Sequence, residues 1–505
     1  MKSIDILFVH PNAANKIYQD LSHNHSAIEP PIWAGLLNTA CSKKGFSSSV
    51  LDCELNRFTY EESVKKIKEV NPKIACFVVY GQQPSASSQN MEGATSISRI
   101  LKNMFPEIKI LFVGGHVAAL PFQVLNDEKS IDFVCLNEGV YTIFNILKVE
   151  NLNDSRFLKK VNGLGFRDED GVIVINQPEK IVPKKLLDND LPGVDWSLMP
   201  SLKNYRTSGW HSWTNNSIKS PFASIYTSLG CPYKCSFCMI NIINRVNNSS
   251  NVSSEHSNSF RWWSPKFIIN QFEFFAKNNV KNIKIADELF VLNPNHFLNI
   301  CDLIIDRGYD FNIWAYSRVD TCKPSYLDKL YKAGVRWLAL GIESPKDDVR
   351  KGAHKQSFKE VKIMETVNQI QNSGINVAAN YIFGLQDETK ESMEFTLDFA
   401  MEANTPMVNF YTAMAYPGSP LYLESVSKNI PLPKSYSGFS QHSKDTLNLP
   451  SKYLSSGEIL KFRDKAWQEY HTNPKYLSLI KNKFGKEALN DLVNTTKIKL
   501  ERNNY

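Results

Sequence analysis

No apolar run in these 505 residues reaches the ~18 that a membrane-spanning helix requires. The start, Met1-Lys2-Ser3-Ile4-Asp5, sets an acid inside its short apolar stretch and runs straight into strand-like sequence, so no signal peptide is expected and a cytoplasmic location is the expectation. A Gly-x-Gly-x-x-Gly after the first strand is absent, which argues against dinucleotide binding. A disulfide framework is absent too, because six of the nine cysteines (Cys41, Cys53, Cys76, Cys135, Cys301 and Cys322) are scattered singly and several sit in apolar runs, where a thiol acts as a small core residue. Charge of one sign is only slightly in excess, at +7, which is the signature of a solvated lysine-rich surface and gives no reason to expect a nucleic-acid partner.

What is present is strand–helix alternation, twice. Over residues 1–147, apolar runs at Ile4–Val9, Ser48–Leu51, Ile74–Tyr80, Ile108–Val113 and Ile131–Leu136 alternate with helical stretches at Pro31–Lys43, Glu61–Val70 and Thr95–Met104. Continuous apolar strands in such alternation predict a parallel sheet covered on both faces, a flavodoxin-like doubly wound α/β domain. Residues 148–215 carry turn signals, prolines and a short Val172–Ile175 strand, and read as a linker with a small hairpin. Over 216–425 the alternation returns with six strand candidates, Ala223–Thr227, Ile283–Ile285, Phe311–Tyr316, Trp337–Leu340, Val377–Phe383 and Val408–Met414, predicting a partial (β/α)6 TIM-type barrel. Residues 247–259, rich in Asn and Ser, read as a flexible loop, and 426–505 as a lysine-rich helical region.

The remaining three cysteines crowd into Cys231-Pro232-Tyr233-Lys234-Cys235-Ser236-Phe237-Cys238, directly after the first barrel strand. Thiolates suit iron–sulfur clusters and zinc. Structural zinc and closed clusters want four protein ligands, and no fourth Cys or His stands nearby at a matching spacing. Three ligands would leave one iron of a cluster open to a substrate or cofactor. The competing readings are a zinc site and three unrelated buried thiols.

Cys-x3-Cys-x-aromatic-Cys after the first barrel strand resembles the radical S-adenosylmethionine (SAM) superfamily, over residues ~220–420. That resemblance implies a [4Fe–4S] cluster on Cys231, Cys235 and Cys238 whose open iron binds SAM through its amino and carboxylate groups. Reductive cleavage then yields a 5′-deoxyadenosyl radical. The superfamily's other landmarks follow in order. Phe237 lies in the cluster loop. Asp287 and Glu288, after the second strand, would contact the SAM amino end. Ser317-Arg318 ends the third strand, where the cation would pair the SAM carboxylate. Gly341-Ile342-Glu343-Ser344 falls near the ribose, and Phe383-Gly384-Leu385 near the adenine, although the usual Gly-Leu-Pro-Gly-Glu continuation is Gly384-Leu385-Gln386-Asp387-Glu388 here. Taken singly, Asp287 reads equally as a helix cap and Arg318 as half of an ion pair.

In the first domain, Pro30-Pro31-Ile32-Trp33-Ala34-Gly35-Leu36-Leu37, Val113-Gly114-Gly115-His116 and Asn137-Glu138-Gly139 resemble the cobalamin-binding domain of cobalamin-dependent radical SAM enzymes. The resemblance implies cobalamin contacts from Gly114, Gly115, His116, Glu138 and Gly139, with Gly81, Gln82 and Ser85 in the loop after the third strand. Asp-x-His-x-x-Gly is absent, so no protein histidine is expected below cobalt, although His10 and His116 stand near. The implied activity is C-methylation of an unactivated carbon in a small-molecule substrate, with electrons from an external low-potential donor such as flavodoxin or ferredoxin. The alternatives are cyclisation, oxidation or rearrangement without methyl transfer, and a non-catalytic cobalamin or redox sensor. An RNA or protein methylthiotransferase is disfavoured, because the first domain lacks that family's cluster cysteines. Trp210, Trp213, Trp262 and Trp263 are candidates to line a planar pocket, and Tyr411 and Tyr416 to assist proton or electron transfer.

Overall fold

A computed structural model describes residues 3–80, 84–246, 252–355 and 360–505. Its first sheet begins with five parallel strands, β1 (Ile4–His10), β2 (Ser48–Asp52), β3 (Pro72–Val78), β4 (Lys109–Val113) and β5 (Phe133–Cys135), in the spatial order β2-β1-β3-β4-β5. That is the doubly wound order expected from the apolar runs. The central strands are buried on both faces, so every residue from Ile6 to Val9 and from Ile74 to Val79 is core. Helix Tyr60–Val70 shows how local sequence sets a boundary. Thr59 and Glu62 form a reciprocal capping box, and the left-handed Asn71 stops the helix directly before β3.

The hairpin of the connecting segment does not stand apart. Its strands β6 (Leu164–Arg167) and β7 (Ile173–Ile175) add antiparallel to β5, making a seven-stranded sheet. A three-residue β5 would otherwise expose its unpaired edge. Gly165 permits the close pairing, since a Cβ there would lie 2.8 Å from Val134 Cγ2.

The second sheet is all parallel. Strands β8 (Phe222–Ile225), β11 (Asn282–Ile285), β12 (Asn312–Arg318), β13 (Val335–Glu343), β14 (Asn376–Phe383) and β15 (Met407–Thr412) stand in sequence order. A two-residue ladder, β9 (Ser228–Leu229) with β10 (Arg261–Trp262), sits at the mouth after β8. Intervening helices start at Pro265 and Pro294, each with proline in the first turn and a Ser264 or Asn293 side chain capping backbone N–H groups. The six strands form an open barrel whose edges are β8 and β15. Helix Ser456–Thr472 packs on the β15 edge, where Arg463 Nε donates to Phe410 O at 2.8 Å. Segment 25–33 of the first domain lies along the β8 edge, with Ser224 Oγ donating to Glu29 at 3.3 Å. The C-terminal region is helical only from Ser456. Residues 428–455, interrupted by Pro431, Pro433 and Pro450, run irregularly apart from a 3₁₀ turn at Tyr436–Phe439. No described helix is long and apolar enough to cross a membrane.

Candidate active site

The cluster loop is shaped from below and behind. Gly230 has φ +82°, and a Cβ there would fall 2.1 Å from Ser259 O, so only glycine lets the chain turn into Cys231. Asn241 clamps the loop by accepting from Cys231 N (3.1 Å) and donating to Cys231 O (2.7 Å). Ser254 Oγ donates to Cys238 O at 2.6 Å, and Ser236 N to Ala353 O at 3.1 Å. Residues 252–259, read from sequence as part of a flexible loop, are therefore packed support for the cluster loop. Residues 247–251 lie outside the described residues.

The three thiols are free. Burial holds all three above their ordinary range, Cys231 at about 12. Loading with metal therefore releases protons. Among the described residues no three His, Cys, Asp or Glu side chains converge on one point as a single-ion site requires. A cubane takes each thiolate at a different iron, so three cysteines spread along one loop match its donor set. Arg318 is part of this surround. Its Nη1 lies 3.8 Å from Cys235 Sγ, its guanidinium stacks 3.8 Å from the Tyr233 ring centre, and Nε and Nη2 are held by Asp320 at 2.8 and 3.1 Å.

Above the loop opens a cavity of about 650 Å³. It gathers Cys231, Cys235, Cys238, Phe237, Asp287, Glu288, Ser317, Arg318 and Glu343. The two acids after β11 differ in kind. Asp287 accepts from Thr227 N, Thr227 Oγ1 and Ser228 Oγ, all at 2.6 Å, so both oxygens are spent on fixing the base of the cluster loop. Burial outweighs these bonds and raises its carboxyl to about 6. Glu288 instead has a buried Oε2 with no partner, and burial raises it to about 8. Glu343, at φ +62° beside a register shift in β13, likewise keeps Oε2 buried and unpaired while Oε1 takes Lys355. Two such acids facing one cavity suit a cationic, multiply hydrogen-bonding ligand, and so fit the ammonium and ribose of SAM.

Ser344 and Gly384 do not line the cavity. Ser344 Oγ caps Lys346 N at 3.2 Å, and Gly384 closes a turn by donating to Glu388 Oε2 at 2.7 Å. On the first domain, Gly114, Gly115, His116, Glu138 and Gly139 also stay off the cavity. Gly114 and Gly139 pack within that domain, where a Cβ would meet Val79 O at 2.0 Å and Val113 Cγ2 at 2.6 Å, whereas Gly115 and Glu138 dock the two domains. A Cβ on Gly115 would meet Met239 Cε at 2.7 Å. Glu138 makes a buried ion pair with Arg261 (2.7 Å) and donates its N–H to Ile243 O (2.9 Å). His116 bonds Ser88 Oγ at 2.9 Å beneath Tyr436, and burial lowers it to about 4. Gly81 and Gln82, and the side chain of Ser85, lie outside the described residues.

The first domain's cavity wall includes His10, Tyr18, Glu29, Trp33, Glu54 and Tyr80. His10 and Tyr80 stand at the carboxyl ends of β1 and β3, the position where open α/β sheets hold ligands. His10 Nδ1 and the Tyr80 hydroxyl are buried without partners, which fits the amide-rimmed edge of a corrin. Of the aromatic candidates, Trp210 and Tyr411 line the cavity, while Trp213, Trp262, Trp263 and Tyr416 do not. The motif reading missed Glu29, Lys284, Asn380 and Asn409, which also line it. Their signal was present, because each of the last three is a polar residue breaking an apolar strand.

Residues 225–400 match the model of the Radical SAM superfamily, and residues 21–147 that of the B12 binding domain. The chain is similar to an uncharacterized methyltransferase of Pyrococcus horikoshii, at 24% identity over 482 residues (94% of each chain). It is also similar to the anaerobic magnesium-protoporphyrin IX monomethyl ester cyclase of Cereibacter sphaeroides, at 23% identity over 464 residues (90% of this chain, 68% of that one). Its fold is that of the radical SAM methyltransferase TsrM from Kitasatospora setae, whose structure holds cobalamin and a [4Fe–4S] cluster (TM-score 0.65, 14% identity, 98% and 100% of the two chains covered). Together the two domains and the cysteine-lined cavity place the chain among the radical SAM enzymes that carry a B12-binding domain. The cofactors of that class are a [4Fe–4S] cluster, SAM and cobalamin.

Proposed function

We propose that this enzyme is a cobalamin-dependent C-methyltransferase acting on a small molecule, with electrons drawn from an external flavodoxin- or ferredoxin-like donor. One observation carries the reading. A single cavity is walled on one side by the three cysteines and the Glu288–Glu343 acids, and on the other by the carboxyl ends of β1 and β3 of the B12-type sheet. When bound, the cluster and SAM supply reductive radical generation, and cobalamin supplies a transferable methyl group.

The chain's own residues do the rest. Asp287 fixes the base of the cluster loop through Thr227 and Ser228. Arg318 donates toward Cys235 Sγ and favours its thiolate. Glu288 and Glu343 offer unpaired oxygens to the SAM cation and its hydroxyls. Trp33, stacked on Tyr80 at 4.5 Å and edge-on to Tyr226 at 6.4 Å, seals the seam between the domains and keeps water from the reacting centre.

The test needs no substrate. Corrinoid-loaded enzyme, reduced and given SAM with a trideuterated methyl group, should carry labelled methylcobalamin by mass spectrometry. A corrinoid that stays unmethylated would remove the methyltransferase reading and favour the cyclase-type chemistry named for the Cereibacter relative.

A further inference from the structure

The lower half of the cavity lies inside the barrel. Alternate residues of the strands face it, namely Trp314, Tyr316 and Arg318 on β12, Ala339, Gly341 and Glu343 on β13, and Met407, Asn409 and Tyr411 on β15. Barrel interiors are ordinarily filled by layers of bulky branched residues. Here Ala339 and Gly341 leave the lumen open, and the opposite wall is polar, with Asn409 Nδ2 donating to Asn380 Oδ1 at 2.9 Å. At the bottom, Lys284 of β11 meets Glu29, whose carboxylate oxygens lie 2.9 and 3.1 Å from Nζ. Burial alone would depress this lysine, but the Glu29 charge holds it well above its ordinary range.

We propose that this pair is the anchor for the zwitterionic head of a free α-amino acid substrate, with its carboxylate at Lys284 and its ammonium at Glu29. The assignment rests on the small-molecule reading above and names its substrate class. Lys284 is the buried member, whereas Glu29 is 26% exposed and also accepts from Ser224 Oγ, so a ligand that engaged Glu29 alone would leave the lysine charge with only Tyr316 beside it, a loss of roughly tenfold or more in affinity. A ligand carrying both signs replaces both contacts. The strands set the distance from anchor to chemistry. Lys284 pairs with Trp314, and Arg318 beside Cys235 stands four residues further along the same strand, about 13 Å at the ~3.3 Å rise of a parallel strand. The substrate's reacting carbon therefore lies several bonds from its charged head, past the Tyr316–Ala339 layer.

Equilibrium dialysis of cluster- and corrinoid-loaded enzyme tests this directly. The probes are a pool of the proteinogenic amino acids, their decarboxylated amines and their des-amino acids, read by mass spectrometry. Wild type should retain at least one amino acid, at least ~tenfold over its amine and its des-amino acid. Glu29→Gln and Lys284→Met should each cut that retention. The double variant, which removes both charges together, should keep its melting temperature yet retain none. Retention of no amino acid, equal retention of an amine or des-amino acid, or retention unchanged in the double variant would overturn the proposal. Corrinoid methylation from labelled SAM, run on the same preparations, reports the methyltransferase reading separately. If methylation persists while retention fails, only the substrate assignment falls.

Discussion

Glu288→Gln separates the cost of an acid at this position from its use. The carboxyl stands at about 8 against an ordinary 4.5, raised first by burial and also by the Asp287 charge. A raised acid binds its proton more tightly in the native state, so native stability falls as pH climbs from the unfolded value through the folded one. The penalty is small below about pH 4.5 and complete above about pH 8. Between pH ~5.5 and ~8.5 it grows by about 3 kcal/mol. Glutamine keeps the shape and removes the titration, so the cofactor-free variant should gain on wild type by that amount across the window. Denaturant unfolding of cofactor-free protein at the two pH values measures the gap. The same substitution removes the unpaired oxygen offered to the SAM cation, so SAM affinity should drop by tenfold or more, with the largest deficit at high pH. A stability gap that stays flat with pH would mean that Glu288 carries no raised carboxyl, and SAM binding untouched by the change would mean that its free oxygen does not face SAM.

Other residues give sharper structural tests. Replacing Cys231, Cys235 or Cys238 by alanine should abolish iron and sulfide incorporation while leaving the melting temperature of cofactor-free protein within a few degrees, because the thiols are neutral there; iron analysis and calorimetry check both. Gly230→Ala drives a Cβ to 2.1 Å from Ser259 O at φ +82°, and should cut cluster loading at least tenfold without unfolding either sheet, as followed by absorbance and circular dichroism. Arg261→Ala strands Glu138 between the domains and should cost about 3–5 kcal/mol in denaturant unfolding, whereas Arg261→Met paired with Glu138→Leu should recover most of it.

How much of this was legible depended on the range of the interaction. Continuous apolar strands announced both parallel sheets, and the Cys231–Cys238 spacing announced the cluster loop, because those signals lie within a few residues of one another. Lys284 was visible as a charge in an apolar strand, but its partner Glu29 is 255 residues away and in another domain, which no local pattern encodes. Asp287 and Glu288 are adjacent and chemically alike. Only the fold shows that Thr227 and Ser228 consume the first and leave the second open. Gly115 reads as a ligand contact, because a close approach to backbone looks the same in sequence whether a corrin or Met239 makes it. The hairpin's attachment to β5 followed from an edge that became visible only once β5 proved three residues long.

The most direct test of the account is anaerobic reconstitution with iron, sulfide and hydroxocobalamin, followed by one-electron reduction in the presence of SAM. Wild type should hold a stoichiometric corrinoid and form 5′-deoxyadenosine, and Cys235→Ala should keep the corrinoid and lose the deoxyadenosine. Iron-loaded protein that leaves SAM intact, or that binds no corrinoid, would contradict the account.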